Sequence, residues 1–190
     1  MYPKCTATAD GTSKTVNTAR DVYKTYHGTI YNMLGDISKR FPGSHVVFID
    51  VHAQKASEHP KVPIDAATWE HSIIVGTQDG RCVKSRAGIY SLSERGLLGG
   101  MQKEFSQRDL LGDEILIYPP NNNIPDHPQY NGGHIVAEYG FNNTRGLDVD
   151  AIQMEFGSRI RKESKLREKV AIAIAKAILS SNYVQPQDSI

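Results

Sequence analysis

With 190 residues, 39% of them hydrophobic and 23% charged, the chain has the make-up of one ordinary globular domain with enough apolar content for a substantial core. A net charge of +1, with Lys and Arg dispersed, argues against nucleic acid or an acidic membrane surface as the main partner and leaves a small-molecule or peptide-like substrate. Two cysteines, Cys5 and Cys82, are too few for a disulfide scaffold, and no stretch has the form of a signal peptide or of a membrane span of roughly 20 apolar residues. The compartment stays open, cytoplasmic by default, and the oligomeric state is undecided.

In chain order, residues 1–15 are small and polar and predict an irregular surface segment. From residue 17 to 40 the apolar positions Val22, Tyr26, Ile30, Met33, Leu34 and Ile37 recur every three or four residues and predict a helix, with His27 packed at the edge of its stripe. Pro42-Gly43 turns the chain into Val46-Val47-Phe48-Ile49, an apolar run that predicts a strand buried on both faces and ending in Asp50-Val51-His52. A long polar loop is expected over 53–68, then a second strand over 69–76 with a hairpin-like exit at Gln78-Asp79-Gly80. Leu97, Leu98, Met101 and Phe105 predict a short helix, and Leu116-Ile117-Tyr118 a third strand stopped by Pro119-Pro120. A loop rich in Asn, Pro and Gly leads through Gly132-Gly133 to residues 135–140. A last strand over 150–156 ends near Glu155, and a helix over 163–181 carries the stripe Leu166, Val170, Ile174, Ala177 and Ile178, before an irregular tail at 183–190. This order predicts a single α/β domain over 1–190, with a mixed, largely parallel sheet flanked by helices.

Side chains alternate along a strand, so Asp50 and His52 are expected on one face at the carboxyl end, where open α/β sheets keep their sites. A metal-bound histidine with its orienting carboxylate has this form, and so does a strand-end Asp beside a solvent-exposed His. A histidine at one strand end, a glutamate at another, arginines just beyond and a Gly-Gly loop between them suit metal-assisted hydrolysis. Zinc activates water and polarises a carbonyl, a carboxylate acts as general base and acid, and arginine holds a substrate carboxylate bidentately.

Ile49-Asp50-Val51-His52, then Tyr130-Asn131-Gly132-Gly133-His134-Ile135 with Tyr139-Gly140, then Asp150-Ala151-Ile152-Gln153-Met154-Glu155 and Arg161, resemble in order and spacing the signature of N-formylglutamate amidohydrolases, also called N-formylglutamate deformylase-like proteins. The likeness covers about residues 17–180. It implies a zinc-exopeptidase-like α/β fold and hydrolysis of an amide bond on an N-acylated acidic amino acid, a small molecule with a carboxylate. By the same resemblance His52 is a zinc ligand with Asp50 behind it, Glu155 the general base and acid, Arg161 and then Arg159 the partners of the substrate carboxylate, and Gly132 and Gly133 part of the substrate pocket. The family's upstream P-H-x-G motif and following glutamate, which supply its other two ligands, have no counterpart in 1–190. The expectation is therefore a chain lacking the family's N-terminal part, a site with substituted ligands, or a non-catalytic relative that binds a small acidic ligand or a protein partner. His59, His127 and His134 are the histidines available as substitutes.

Overall fold

A computed structural model describes residues 12–55, 62, 64–93, 96–108, 110, 115–143 and 146–181. Cys5, His59, the first eleven residues and the expected irregular tail lie outside these. The chain divides into two compact units, Met1–Pro42 and Gly43–Ile190.

The first unit contains one helix, α1 (Thr12–Arg40), which begins earlier than the periodicity of its apolar residues suggests, so the end of the stretch read as irregular is helical. It stops where Pro42 disfavours helical geometry in the residue before it. Of its apolar stripe Leu34 is buried, whereas Val22, Tyr26, Met33 and Ile37 are exposed. His27 is buried, its ring 4.0 Å from that of Tyr23 and 5.2 Å from that of Tyr26.

The second unit is an α/β fold. Its strands are β1 (Val46–Ala53), β2 (Ser72–Gly76), β3 (Leu116–Tyr118) and β4 (Val149–Phe156), in the spatial order β1-β4-β2-β3. β1 pairs parallel with β4, β2 parallel with β3, and β2 antiparallel with β4, so the sheet is mixed and largely parallel as expected. Around it lie α2 (Ala66–Glu70), α3 (Arg86–Ile89), α4 (Leu97–Gln107), α5 (Gly133–Tyr139), α6 (Ser158–Lys162) and α7 (Ser164–Ser180).

One face of the sheet, through Ile73, Val75, Ile152 and Met154, packs against Met101 and Phe105 of α4 and Val170 and Ile174 of α7 in one continuous core. Full burial of each larger aliphatic or aromatic side chain there contributes about 1.5–3 kcal/mol. Gly99 and Gly100 do not break α4; both are buried, and a Cβ on Gly100 would lie 3.4 Å from that of Ala177 in α7, so the two helices approach closely there. On the other face Ile74 and Tyr118 join Trp69 and Val62 in a smaller cluster.

Two expectations are corrected. Trp69 does not begin β2: it sits in α2, whose N-terminus is capped by Asp65, the carboxylate accepting from the Thr68 N–H at 2.8 Å and its hydroxyl at 2.7 Å. The Asp-x-x-Thr spacing over residues 65–68 is the sequence signal of that cap. The exit of β2 is also no hairpin, since Gln78, Asp79 and Gly80 take positive φ in a turn that leads to α3, and the antiparallel neighbour of β2 is β4.

Candidate functional site

The register of the sheet builds the site. His52 is paired with Glu155 across β1 and β4, and Glu155 with Ile74 across β4 and β2; one step back, Asp50, Gln153 and Gly76 form the next row. Alternation puts Asp50, His52, Gln153 and Glu155 on the face opposite the main core. His52 Nε2 lies 2.9 Å from Asp50 Oδ2, and its Nδ1 lies 4.0 Å from Glu155 Oε1. The Gln153 amide donates to Glu155 Oε1 at 2.9 Å. The three residues singled out in sequence as base, ligand and orienting acid are therefore brought together.

Their environments differ in a useful way. Glu155 is 5% exposed and its Oε2 has no hydrogen-bond partner among the described residues, while the His52 side chain is 44% exposed and opens the cluster to solvent. Burial pushes the Glu155 carboxyl above its ordinary value; His52 and Arg161 pull it down and Asp50 pushes it further up, with the net direction upward. A carboxyl with a raised pKa and a free oxygen beside a solvent-facing imidazole is suited to accept a proton from water and return it.

The strand role expected of β1 needs correction. It is an edge strand, not one buried on both faces, and Val51 is 69% exposed. The strands covered on both faces are β2, buried along its whole length, and β4, where Val149 through Glu155 are all buried, including Asp150, Gln153 and Glu155. An apolar run such as Val46–Ile49 satisfies an edge position whose inner face is covered just as well as a central one.

The arginines part company. Arg161 donates through Nε to the Phe156 carbonyl and through Nη2 to the Gln54 carbonyl, both at 3.1 Å, which ties together the residues at the carboxyl ends of β4 and β1, and its charge reaches Glu155. Arg159 turns to Glu163, with Nε 2.7 Å from Oε1, and to the ring of His71. The Gly-Gly loop does reach the site's face. A Cβ on Gly76 would lie 2.5 Å from backbone atoms of Tyr130, Asn131 and Gly132, so only glycine lets that loop settle on the sheet beside Gln153. Gly132 itself has φ +115°, and the Gly133 carbonyl accepts from the Gln78 side chain at 2.5 Å.

Of the substitute histidines, His127 is buried among the rings of Trp69, Tyr118 and Tyr130, and its Nδ1 accepts from the Gln129 N–H at 3.2 Å. His134 is exposed in the first turn of α5. His59 lies outside the described residues. Catalytic zinc uses about three protein ligands, and among the described residues no group of three His, Cys, Asp or Glu is disposed to hold a metal ion. His52 offers ligand chemistry, with one ring nitrogen held by Asp50 and the other toward Glu155, but the described residues do not by themselves complete a zinc site.

Two polar clusters were not anticipated. Asp126 accepts from the Thr77 N–H at 2.5 Å, the Asp79 N–H at 3.0 Å and the Tyr90 hydroxyl at 2.9 Å, and pairs with Arg86 at 3.2 Å, which anchors the long loop to the end of β2. At the opposite end of the sheet from His52, His45 sits between Asp148 and Asp150, each 3.1 Å from one ring nitrogen. The period-2 pair Asp148-x-Asp150 at the start of a strand was the available signal for the second. Among the described residues no helix is long and apolar enough to cross a membrane. No family model, curated protein or solved structure matches the chain.

Proposed function

We propose that the chain is an amidohydrolase that acts on an N-acylated acidic amino acid or a related amide, with its α/β sheet belonging to the zinc-exopeptidase-like class. One observation carries the reading: a buried carboxyl with an unpartnered oxygen, Glu155, stands beside a solvent-facing His52 that Asp50 orients, all at the carboxyl ends of paired parallel strands. Glu155 takes a proton from the attacking water and delivers it to the leaving amine. Asp50 fixes the tilt of the imidazole and strengthens it as a ligand. Arg161, with donors left over after its two carbonyl bonds, receives the substrate carboxylate, and the backbone around Gly132 and Gly133 closes that side of the pocket. A zinc ion held in part by His52 would supply carbonyl polarisation; its remaining ligands are not among the described residues. The ligand proposed is a small carboxylate, with no role for nucleic acid or membrane.

Metal analysis of the purified protein beside His52→Ala, with an amidase assay on N-acyl glutamates, tests this. Stoichiometric zinc lost in the variant, together with turnover by the parent, supports it. Equal trace metal in both and no turnover overturns it. A second reading, a non-catalytic relative that binds a small acidic ligand or a protein partner, is favoured by the lack of a three-donor metal group among the described residues. Saturable binding of N-acyl glutamate without hydrolysis distinguishes it.

A further inference from the structure

On the other face of β1 lies an apolar groove that meets the site at one edge, where His52 and Arg161 belong to its lining. Its floor is formed by Ile49, Val51, Met154 and Phe156 and its wall by Ile174 and Ile178 of α7, and it encloses about 550 Å³. Arg161 and Arg167 stand along its lining. Arg167 Nη1 donates to the Arg161 carbonyl at 2.5 Å, and Arg161 donates to the carbonyls of Phe156 and Gln54. A guanidinium carries five N–H donors, so both keep several in hand. Among the described residues the carboxylates that pair with arginine engage Arg86, Arg108 and Arg159 instead. Two cations are thus held in place by backbone carbonyls beside an apolar trough.

We infer that this groove binds an alkyl carboxylate, with the chain along the Val51–Ile178 trough and the head on Arg167 and Arg161. The charge of the site selects the head. An apolar lining next to guanidinium groups that form no ion pair among the described residues favours an anionic amphiphile over a neutral or cationic one, because a carboxylate takes charge-assisted, two-pronged hydrogen bonds from arginine. The size selects a small molecule. The enclosed volume falls within the range of about 300–1,000 Å³ usual for ligand pockets, whereas a stable protein interface needs roughly 800 Å² from each partner. The groove shares Arg161 and His52 with the proposed active site, so the inference rests in part on that reading; Glu155 does not line it, so decanoate binding is expected to survive Glu155→Gln whether or not the amide is hydrolysed.

Calorimetric titration of the full chain with hexanoate, octanoate and decanoate, each below its micelle concentration, tests the inference, with decylamine as the head-group control. Saturable binding is expected to tighten by about fourfold per added methylene, and decylamine to bind at least about tenfold more weakly than decanoate. Ala175→Phe, at an exposed position of α7 that lines the groove, is expected to abolish binding, and Arg167→Gln to weaken it by about tenfold. Equal affinity for amine and carboxylate overturns the inference, as does unchanged decanoate binding in Ala175→Phe. Sedimentation showing a dimer that Ala175→Phe breaks and decanoate does not displace overturns it too, because a second copy is then the occupant. If Ala175→Phe loses its circular dichroism, Arg167→Gln decides alone: unchanged affinity there contradicts the proposed head-group site.

Discussion

His52 Nδ1 lies 4.0 Å from Glu155 Oε1, and the two residues are direct partners in the parallel pairing of β1 with β4. That adjacency sits beside a carboxyl whose burial makes ionisation costly. A carboxyl with a raised folded pKa contributes stability that is fully present below its unfolded value, near 4.5, and is lost as pH rises through the folded pKa. Glu155→Gln is therefore expected to be more stable than the parent at pH 8, with a higher Tm, and the gap is expected to close toward pH 4. Thermal melts at the two pH values check it, and a gap that stays constant or reverses is the contrary result.

At the far end of the same strand pair the sign is opposite. The Asp150 hydrogen bond, opposed by burial and helped by the charges of Asp150 and Asp148, raises the His45 pKa, so its stabilisation is full below about pH 6.5 and fades as pH rises through the folded value. Burial opposes a low Asp148 pKa, but His45 and Lys84 bring it below the ordinary carboxyl value, so that contribution is lost in acid. His45→Gln is expected to cost about 3 kcal/mol at pH 6, since Asp150 is fully buried, and markedly less at pH 9. Urea unfolding at both pH values measures this; equal costs would show that His45 acts as a neutral spacer.

Asp126 holds the loop that carries the glycine pair. Asp126→Asn keeps the shape but removes the charge that faces Arg86 and one acceptor from a set that includes Tyr90 and two backbone N–H groups. The expected loss is about 3 kcal/mol of folding stability. Asp126→Asn should unfold at a clearly lower urea midpoint with an unchanged slope, and a midpoint equal to that of the parent would show the cluster to be energetically idle.

Gly76→Ala tests the placement of that loop on the sheet. The new methyl would meet the backbone of Tyr130, Asn131 and Gly132, none of which moves cheaply. A loss of about 1–3 kcal/mol is expected, together with a raised KM for the amide substrate, because the Gly132–Gly133 backbone is displaced while Glu155 and His52 stay paired. A variant with native KM and stability would mean the loop does not shape the pocket.

The parts of this arrangement legible in sequence are those governed by a local period. The stripe of α7 and the β4 alternation required only 3.6- and 2-residue spacing, and both elements lie within a residue or two of their expected bounds. The face shared by Asp50 and His52 followed from the same alternation. What was not legible depended on neighbours distant in the chain. Whether Val46–Ile49 is central or at an edge is decided by which strands pair with it, and the apolar run is the same in either case. Asp126 and His45 draw their roles from partners such as Tyr90 and Asp150, 36 and about a hundred residues away, which no spacing announces. In α1 the periodicity marked the helix correctly but not which of its apolar residues are buried.

The most direct measurement is the pH dependence of N-acyl glutamate hydrolysis by the parent and by Glu155→Gln, with bound zinc quantified in both. The expected result is turnover in the parent that rises with pH through a carboxyl pKa above 4.5, since the base must be ionised. In Glu155→Gln turnover should fall by about 10²–10⁴-fold with metal content unchanged. Undiminished turnover in Glu155→Gln, or a parent protein that releases no amino acid at any pH, would contradict the assignment of Glu155 and His52 as a hydrolytic pair.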